Sequence, residues 1–240
     1  MIVAGGPPRT FGRARSADDV ARNGAAYDPD ANTWRTVPPA PEAITEGVVR
    51  WTGSELLVFG SLRTDYPKAR SPIITDARAA LYDPATDHWR LLPASGIGGV
   101  APVAAVTGDQ IVAIDPGLEP RRYDLGDTDW HYAGSGLDRD YRECYLTLSA
   151  AVDEVLLSQC GYFWSFDTKA QRWAPVPSPT DRLDEQPWGE PIWTGETFLY
   201  WQTNPWLPED QTAIPTADEN QKDLIVWAYV PAASSRADRS

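Results

Sequence analysis

The sequence predicts an all-β protein built from repeated sheets of four antiparallel strands. One observation is a short segment that occurs four times: an aromatic residue, an aspartate, a polar turn and, seven positions after the aromatic, a tryptophan. A second is a recurring pair of short apolar runs joined by a tight turn. The third is the lack of a 3.6-residue apolar period, so we expect almost no helix. The aromatic and tryptophan pairs are Tyr27 and Trp34, Tyr82 and Trp89, Tyr123 and Trp130, and Phe166 and Trp173.

The spacing of these segments indicates a repeat architecture. Successive tryptophans lie 55, 41 and 43 residues apart, a period typical of stacked units rather than of one wound domain. We interpret each segment as a hairpin whose aromatic residues pack between neighbouring sheets. The aspartate beside each aromatic is predicted to bond nearby backbone amides and so to form the turn. These aspartates are Asp28, Asp83, Asp124 and Asp167.

The paired apolar runs predict a second hairpin in each repeat. Each pair has short β-prone runs on both sides of a turn of Gly, Asp or Ser, which is a hairpin signal. The predicted hairpins cover residues 48–60, 103–114, 146–157 and 191–200.

Four-stranded units of this length are typical of the blades of a β-propeller. We place the blades at residues 1–41, 42–94, 95–133, 134–179 and 180–231, in a single domain over 1–231. Blade 1 begins on its second strand and blade 5 has no closing tryptophan, so we expect an incomplete propeller, truncated at its N-terminus; the alternative is an unusually small and poorly closed propeller. Residues 232–240 are small and polar and are expected to be a disordered tail.

Three motifs carry a family resemblance. Gly5-Gly6 after an apolar run, the run Trp-Thr-Gly-Ser-Glu-Leu-Leu-Val-Phe-Gly over 51–60, and Tyr-Asp-Pro-Ala-Thr-Asp-His-Trp over 82–89 resemble kelch repeats. The chain is most similar to the bacterial kelch and galactose-oxidase-like propellers, from residue 2 to about residue 231. The resemblance implies the propeller fold. It implies little about activity, because kelch propellers serve as binding scaffolds, sugar oxidases and epimerases.

The copper chemistry of galactose-oxidase-like propellers is not expected here. Such a site resembles a cluster of tyrosine and histidine with a cysteine-linked tyrosine, and it needs at least two histidine ligands. The histidines of this chain are His88 and His131, and both flank repeat tryptophans, which places them on peripheral turns. We predict no metal, no cofactor and no catalytic residues. The expected function is a non-catalytic binding or scaffold module; the alternative is a carbohydrate-active enzyme, oxidase- or glycosidase-like, with part of its site in blades outside this chain.

Composition restricts the partners. The net charge of -13 argues against nucleic acid and anionic membranes, and no apolar stretch is long enough to insert into a bilayer. We expect a monomer that binds a protein or a carbohydrate. The run over residues 2–6 is too short for a signal peptide. The location stays open, and it would be extracellular or periplasmic if a signal peptide precedes this sequence.

The two cysteines flank the first hairpin of blade 4. With the turn near Val152-Asp153, Cys144 falls opposite Cys160 within one residue. Opposed strand residues can come close enough for a disulfide, which would indicate an oxidising compartment. Two buried free thiols are the alternative.

Long connections between the second and third strands are the candidate ligand-binding site. They cover residues 7–23, 61–77 and 202–223, whereas blades 3 and 4 have short ones. Function concentrates in long loops on a rigid scaffold. The first two loops are cationic and suit an anionic ligand, and tryptophans by the same rim suit sugar rings; alternatively, the charges only balance the acidic remainder. The candidate residues are Arg9, Phe11, Arg13, Arg15, Arg63, Tyr66, Lys68, Arg70, Trp188 and Trp206.

Overall fold

The computed structural model describes residues 2–4, 24–64, 73–98, 102–115, 117, 119–135, 137, 146–159, 162–177, 190–202 and 225–230. These residues form antiparallel strands and contain no helix, which confirms the predicted all-β class. The chain divides into two compact units, Met1–Ala133 and Gly134–Ser240.

The first unit holds three sheets whose strands follow one another in chain order. Sheet 1 contains β1 (Ile2–Ala4), β2 (Gly24–Asp28) and β3 (Thr33–Val37). Sheet 2 contains β4 (Ile44–Trp51), β5 (Leu56–Thr64), β6 (Ile73–Asp83) and β7 (His88–Leu91). Sheet 3 contains β8 (Val103–Thr107), β9 (Gln110–Ile114), β10 (Arg121–Asp124) and β11 (His131–Tyr132).

The second unit holds two sheets built in the same way. Sheet 4 contains β12 (Leu146–Ala150), β13 (Glu154–Gln159), β14 (Tyr162–Asp167) and β15 (Arg172–Val176). Sheet 5 contains β16 (Ile192–Trp193), β17 (Phe198–Gln202) and β18 (Ile225–Tyr229). Sheets 2, 3 and 4 have four strands, and sheets 1 and 5 have three among the described residues. Each sheet lies within one of the five ranges given above for the blades.

In three of the four repeats, the repeated aspartate forms part of the turn in the last hairpin of its sheet. The Asp28 carboxylate accepts a hydrogen bond of 3.0 Å from the amide of Asp30. Asp83 accepts one of 2.8 Å from Ala85, and Asp167 one of 2.9 Å from Lys169. The aspartate carboxylates thus bond backbone amides of the turn and stabilise it.

The third repeat departs from this prediction. Asp124 pairs with Arg122 on the same strand, and Asp127 donates its amide to the backbone carbonyl of Asp124 at 2.9 Å. The turn continues through Gly126, whose φ of 104° favours glycine. Asp124 therefore does not serve as the side-chain acceptor of the turn.

The aromatic residue and tryptophan of every repeat pack against each other as tilted rings. Tyr27 and Trp34 lie opposite each other on β2 and β3, and Phe166 and Trp173 do so on β14 and β15. Ring centroids are 5.1, 5.1, 5.4 and 4.9 Å apart in the successive repeats. This distance is typical of favourable aromatic pairs.

Apolar contacts between consecutive sheets form the core of each unit. Tyr82 of sheet 2 packs on Val37 of sheet 1, and Phe59 of sheet 2 lies in one cluster with Tyr123 of sheet 3. In the second unit, sheets 4 and 5 share a cluster, within which the rings of Phe163 and Tyr200 are 5.0 Å apart. Each fully buried side chain of this size contributes roughly 1.5–3 kcal/mol, so face-to-face packing holds the sheets together.

The repeat tryptophan of sheet 1 is not buried, contrary to the expectation that all four pack between sheets. Trp173 is 2% exposed, whereas Trp34 is 54% exposed. Trp34 lies on the opposite face of β3 from Val37, which packs on sheet 2. Trp34 therefore packs on its partner Tyr27 within sheet 1 and not on the interface with sheet 2.

Candidate functional site

The β1–β2 connection of sheet 1 and the β5–β6 connection of sheet 2 start at the same end of the two sheets. The guanidinium of Arg35, next to the β2–β3 turn, bonds the Asp87 carboxylate in the β6–β7 turn at 2.8 Å, so these two turns lie side by side. Strands in each sheet are antiparallel, so the β1–β2 and β5–β6 connections start at the opposite end from these turns. Both candidate cationic loops therefore start from one end of two packed sheets.

The second candidate loop is shorter than predicted. Its ends belong to strands, because β5 runs to Thr64 and β6 begins at Ile73. The two strands remain paired to their tips, where Thr64 faces Ile73 and Arg63 faces Ile74. The predicted loop over 61–77 is thus a two-stranded ribbon with a connection over 65–72, and Arg63 lies on a strand.

Most candidate ligand residues lie outside the described residues. They are Arg9, Phe11, Arg13, Arg15, Tyr66, Lys68, Arg70, Trp188 and Trp206. The predicted disulfide partners Cys144 and Cys160 also lie outside them. The short connections predicted in blades 3 and 4 are confirmed, since β9 ends at Ile114 before β10 at Arg121, and β13 ends at Gln159 before β14 at Tyr162.

A polar contact joins sheets 1 and 2 at the end away from these loops. The Tyr82 hydroxyl accepts a hydrogen bond of 3.0 Å from Arg35 and donates one of 2.5 Å to Asp87. The Tyr82 hydroxyl and then the guanidinium lower the pKa of the Asp87 carboxyl below its usual range. Sequence reasoning missed this contact, although arginine follows the repeat tryptophan in both of the first two repeats.

The next repeat uses its arginine in a related way. Arg90 follows Trp89 and bonds both carboxylate oxygens of Glu55, at 3.0 and 2.8 Å. Hydrogen bonds to Glu55 and, to a smaller extent, to Tyr123 of sheet 3 raise the pKa of the guanidinium. Two successive arginines therefore reach the tyrosine of the following sheet.

Two of the repeat tryptophans also donate a hydrogen bond from the indole N–H to a backbone carbonyl. The indole N–H of Trp89 donates to the carbonyl of Pro38 at 2.7 Å, and that of Trp130 donates to the carbonyl of Pro93 at 3.0 Å. Each acceptor lies in the connection that precedes the tryptophan's own sheet. The predicted packing role of these tryptophans thus includes a hydrogen bond that fixes the ring.

A buried carboxyl lies between sheets 4 and 5. Glu154 at the start of β13 accepts a hydrogen bond of 2.9 Å from the Tyr229 hydroxyl on β18. Burial raises the pKa of the Glu154 carboxyl, partly offset by the bond from Tyr229, and burial raises the pKa of Tyr229 to about 12. The buried Tyr200 hydroxyl makes no hydrogen bond to a described residue. Sequence reasoning did not single out these residues, because nothing in the sequence distinguishes a buried glutamate after a turn from an exposed one.

No protein-family model matches this sequence, and no curated protein matches it. The likeness to kelch repeats therefore rests on the repeat residues alone.

The described residues hold no cluster of three or more His, Cys, Asp or Glu side chains placed to bind a metal ion. His88 begins β7, and His131 begins β11, where its ring lies 3.1 Å from the Asp127 carboxylate. Both histidines are exposed beside hairpin turns, as the sequence predicted. Among the same residues, no helix has the length and apolar character needed to cross a membrane.

Proposed function

We propose that this chain is a non-catalytic binding module of the kelch-type β-propeller class, which recognises a protein or carbohydrate ligand through loops at one end of its sheets. The architectural part is supported by consecutive antiparallel sheets that pack face to face within each unit. The repeated aromatic and tryptophan pair at the last hairpin of four sheets supports it as well.

The binding part rests mainly on the common end from which the β1–β2 and β5–β6 connections start. The contact between Arg35 and Asp87 joins the β2–β3 and β6–β7 turns at the far end of the sheets. Strands β5 and β6 remain paired beyond the part of sheet 2 that has four strands, and their connection starts from there. Long connections on a fixed scaffold are where proteins of many folds place their binding residues.

An anionic ligand fits the composition of these connections. Arginine and lysine are concentrated there, on a chain whose net charge is -13. Guanidinium groups recognise carboxylates through paired hydrogen bonds, and a local cationic surface attracts an acidic partner. Acidic glycans and acidic peptides are the two ligand classes with this chemistry.

The experiment is a binding screen of the full chain against acidic and neutral glycans and against acidic peptides. We expect saturable binding of an acidic ligand that weakens as ionic strength rises, because salt screens exposed charges. Binding that favours neutral ligands, or that is indifferent to salt, would refute the anionic specificity.

Small-angle scattering tests the architectural part separately. A single compact domain of this length has a radius of gyration of about 18 Å. A markedly larger value in dilute solution would count against one propeller formed by all five sheets.

A further inference from the structure

The side of sheet 4 that packs on sheet 5 carries several hydroxyl groups. Leu156 and Phe163 identify this side, because both lie in the apolar cluster shared with sheet 5. Opposed residues, and alternate residues along one strand, share a face of a sheet. Ser158 is opposite Phe163, and Thr147 is opposite Ser158. Ser149, two positions after Thr147 on β12, lies on the same face, so sheet 4 presents small polar side chains to sheet 5.

Two hydroxyl oxygens in this interface are buried and bond no described residue. They belong to Tyr200 of sheet 5 and Thr147 of sheet 4. The Tyr200 side chain packs in the shared cluster, and the residue is only 3% exposed. A buried hydroxyl without a partner is costly, and nearly all such groups in proteins bond either another protein group or an ordered water.

The two hydroxyls lie on either side of Ser158. The ring of Tyr200 is 5.0 Å from that of Phe163, which faces Ser158 from β14. Thr147 faces Ser158 from the other neighbouring strand, β12. Cβ atoms of directly opposed strand residues are about 4.5–5.5 Å apart, and Ser158 is itself buried. The three hydroxyls therefore border one region of the interface, where the small serine side chain leaves room.

We propose that a water molecule is bound between sheets 4 and 5, where it accepts a hydrogen bond from the Tyr200 hydroxyl and bonds the hydroxyls of Thr147 and Ser158. Buried waters make about three hydrogen bonds to polar groups that otherwise lack a partner, and this region offers three. Tyr200 is a donor here, because burial and, to a smaller extent, the phenol of Tyr229 raise the pKa of its hydroxyl. The site does not depend on the ligand site proposed at the loop end.

Deletion of the Tyr200 hydroxyl distinguishes a bound water from an unpaired group. Tyr200→Phe keeps the ring against Phe163 and removes only the donor to the water. We expect the folding equilibrium constant of the full chain, measured by urea unfolding, to fall roughly fivefold, which is the effect of one ordinary hydrogen bond. Thr147→Val should lower it similarly. Removal of an unpaired hydroxyl would instead raise the constant, because it relieves a desolvation cost.

A double-mutant cycle locates the water. The effects of Tyr200→Phe and Ser158→Ala should not be additive, since each change removes a partner of the same water. Ser149→Ala is the matched control: Ser149 is buried on the same face, but it is opposite Leu156 in the next row of the sheet. Its effect should add to that of Tyr200→Phe. A crystal structure of the full chain should show the water about 3 Å from the three hydroxyl oxygens.

Three results would overturn the proposal. One is unchanged or increased stability of Tyr200→Phe or of Thr147→Val. Another is strict additivity of Tyr200→Phe with Ser158→Ala, or equal coupling of Tyr200→Phe with Ser149→Ala. The third is a crystal structure that shows ordered water elsewhere but none at this position, or that shows another residue of the chain bonded to the Tyr200 hydroxyl.

Discussion

Arg35 on β3 donates a hydrogen bond of 3.0 Å to the phenolic oxygen of Tyr82 on β6. Tyr82 belongs to the repeat signature of sheet 2, while Arg35 follows the signature tryptophan of sheet 1. One oxygen thus links a hairpin turn to the neighbouring sheet, since it also donates to Asp87 in its own turn. This link accompanies the apolar contacts between sheets 1 and 2 and lies at the end opposite to that from which their long connections start.

Removing this oxygen should destabilise the first unit modestly. Tyr82→Phe keeps the ring packed against Trp89 but deletes a buried hydroxyl with two hydrogen bonds. We expect a loss of about 1 kcal/mol in the free energy of unfolding, the usual net value for such a bond. Urea unfolding of Tyr82→Phe, Arg35→Ala and the double variant measures the coupling. Strictly additive effects would show that the two residues do not act together.

The repeat tryptophans should differ sharply in their contribution to stability. Trp173→Ala should lower the free energy of unfolding by roughly 3–5 kcal/mol, because it removes a large buried side chain and leaves a cavity. Trp34→Ala is the matched control, and its effect should be much smaller because Trp34 is half exposed. Thermal melting of both variants checks this. Equal losses would mean that a partner covers Trp34 in solution.

The sequence predicted the hairpins well because their causes are local. An Asx residue, a turn and facing aromatics lie within eight positions of one another, and three of the four turns follow this pattern. The third does not, because Leu125-Gly126 replaces the residues that form the turn elsewhere. The β-prone run Ile73-Ile74-Thr75 was a signal that part of the predicted loop is strand.

Contacts between sheets were not predictable from the same pattern. The exposure of Trp34 depends on whether a sheet packs on its face, which its own sequence does not encode. The bond from Arg35 to Tyr82 joins residues 47 positions apart, and its existence depends on how two sheets align. The candidate ligand residues are defined by composition alone, because nearly all of them lie in the connections outside the described residues.

The second unit should gain stability on mild acidification through Glu154. Burial raises the pKa of its carboxyl above the ordinary value, so the folded state binds this proton more tightly than the unfolded state. The stabilisation by Glu154 therefore increases as pH falls through the pKa of its carboxyl in the folded state. It is complete below the pKa in the unfolded state, which is about 4.3.

The control for this titration is Glu154→Gln, which is neutral at every pH and still accepts a hydrogen bond from Tyr229. Stabilities of the two proteins are compared between pH 8 and pH 4.5, above the range in which Asp83 and Asp87, with lowered pKa values, begin to protonate. The unmodified chain should improve relative to the variant as pH falls. A difference that is constant with pH would refute the assignment.

The most direct test of the proposed function is charge reversal in the two cationic connections. The double variant Arg13→Glu with Arg70→Glu changes one residue in each, and its control, Lys169→Glu with Arg172→Glu, reverses the same amount of charge at the β14–β15 turn. Binding of the acidic glycan or peptide found in the screen is measured for both, together with the melting temperature. We predict that the first variant loses the ligand, that the control keeps it, and that the first variant melts nearly as the unmodified chain does. Unchanged affinity in the first variant, or an equal loss in the control, would contradict a ligand site formed by the β1–β2 and β5–β6 connections.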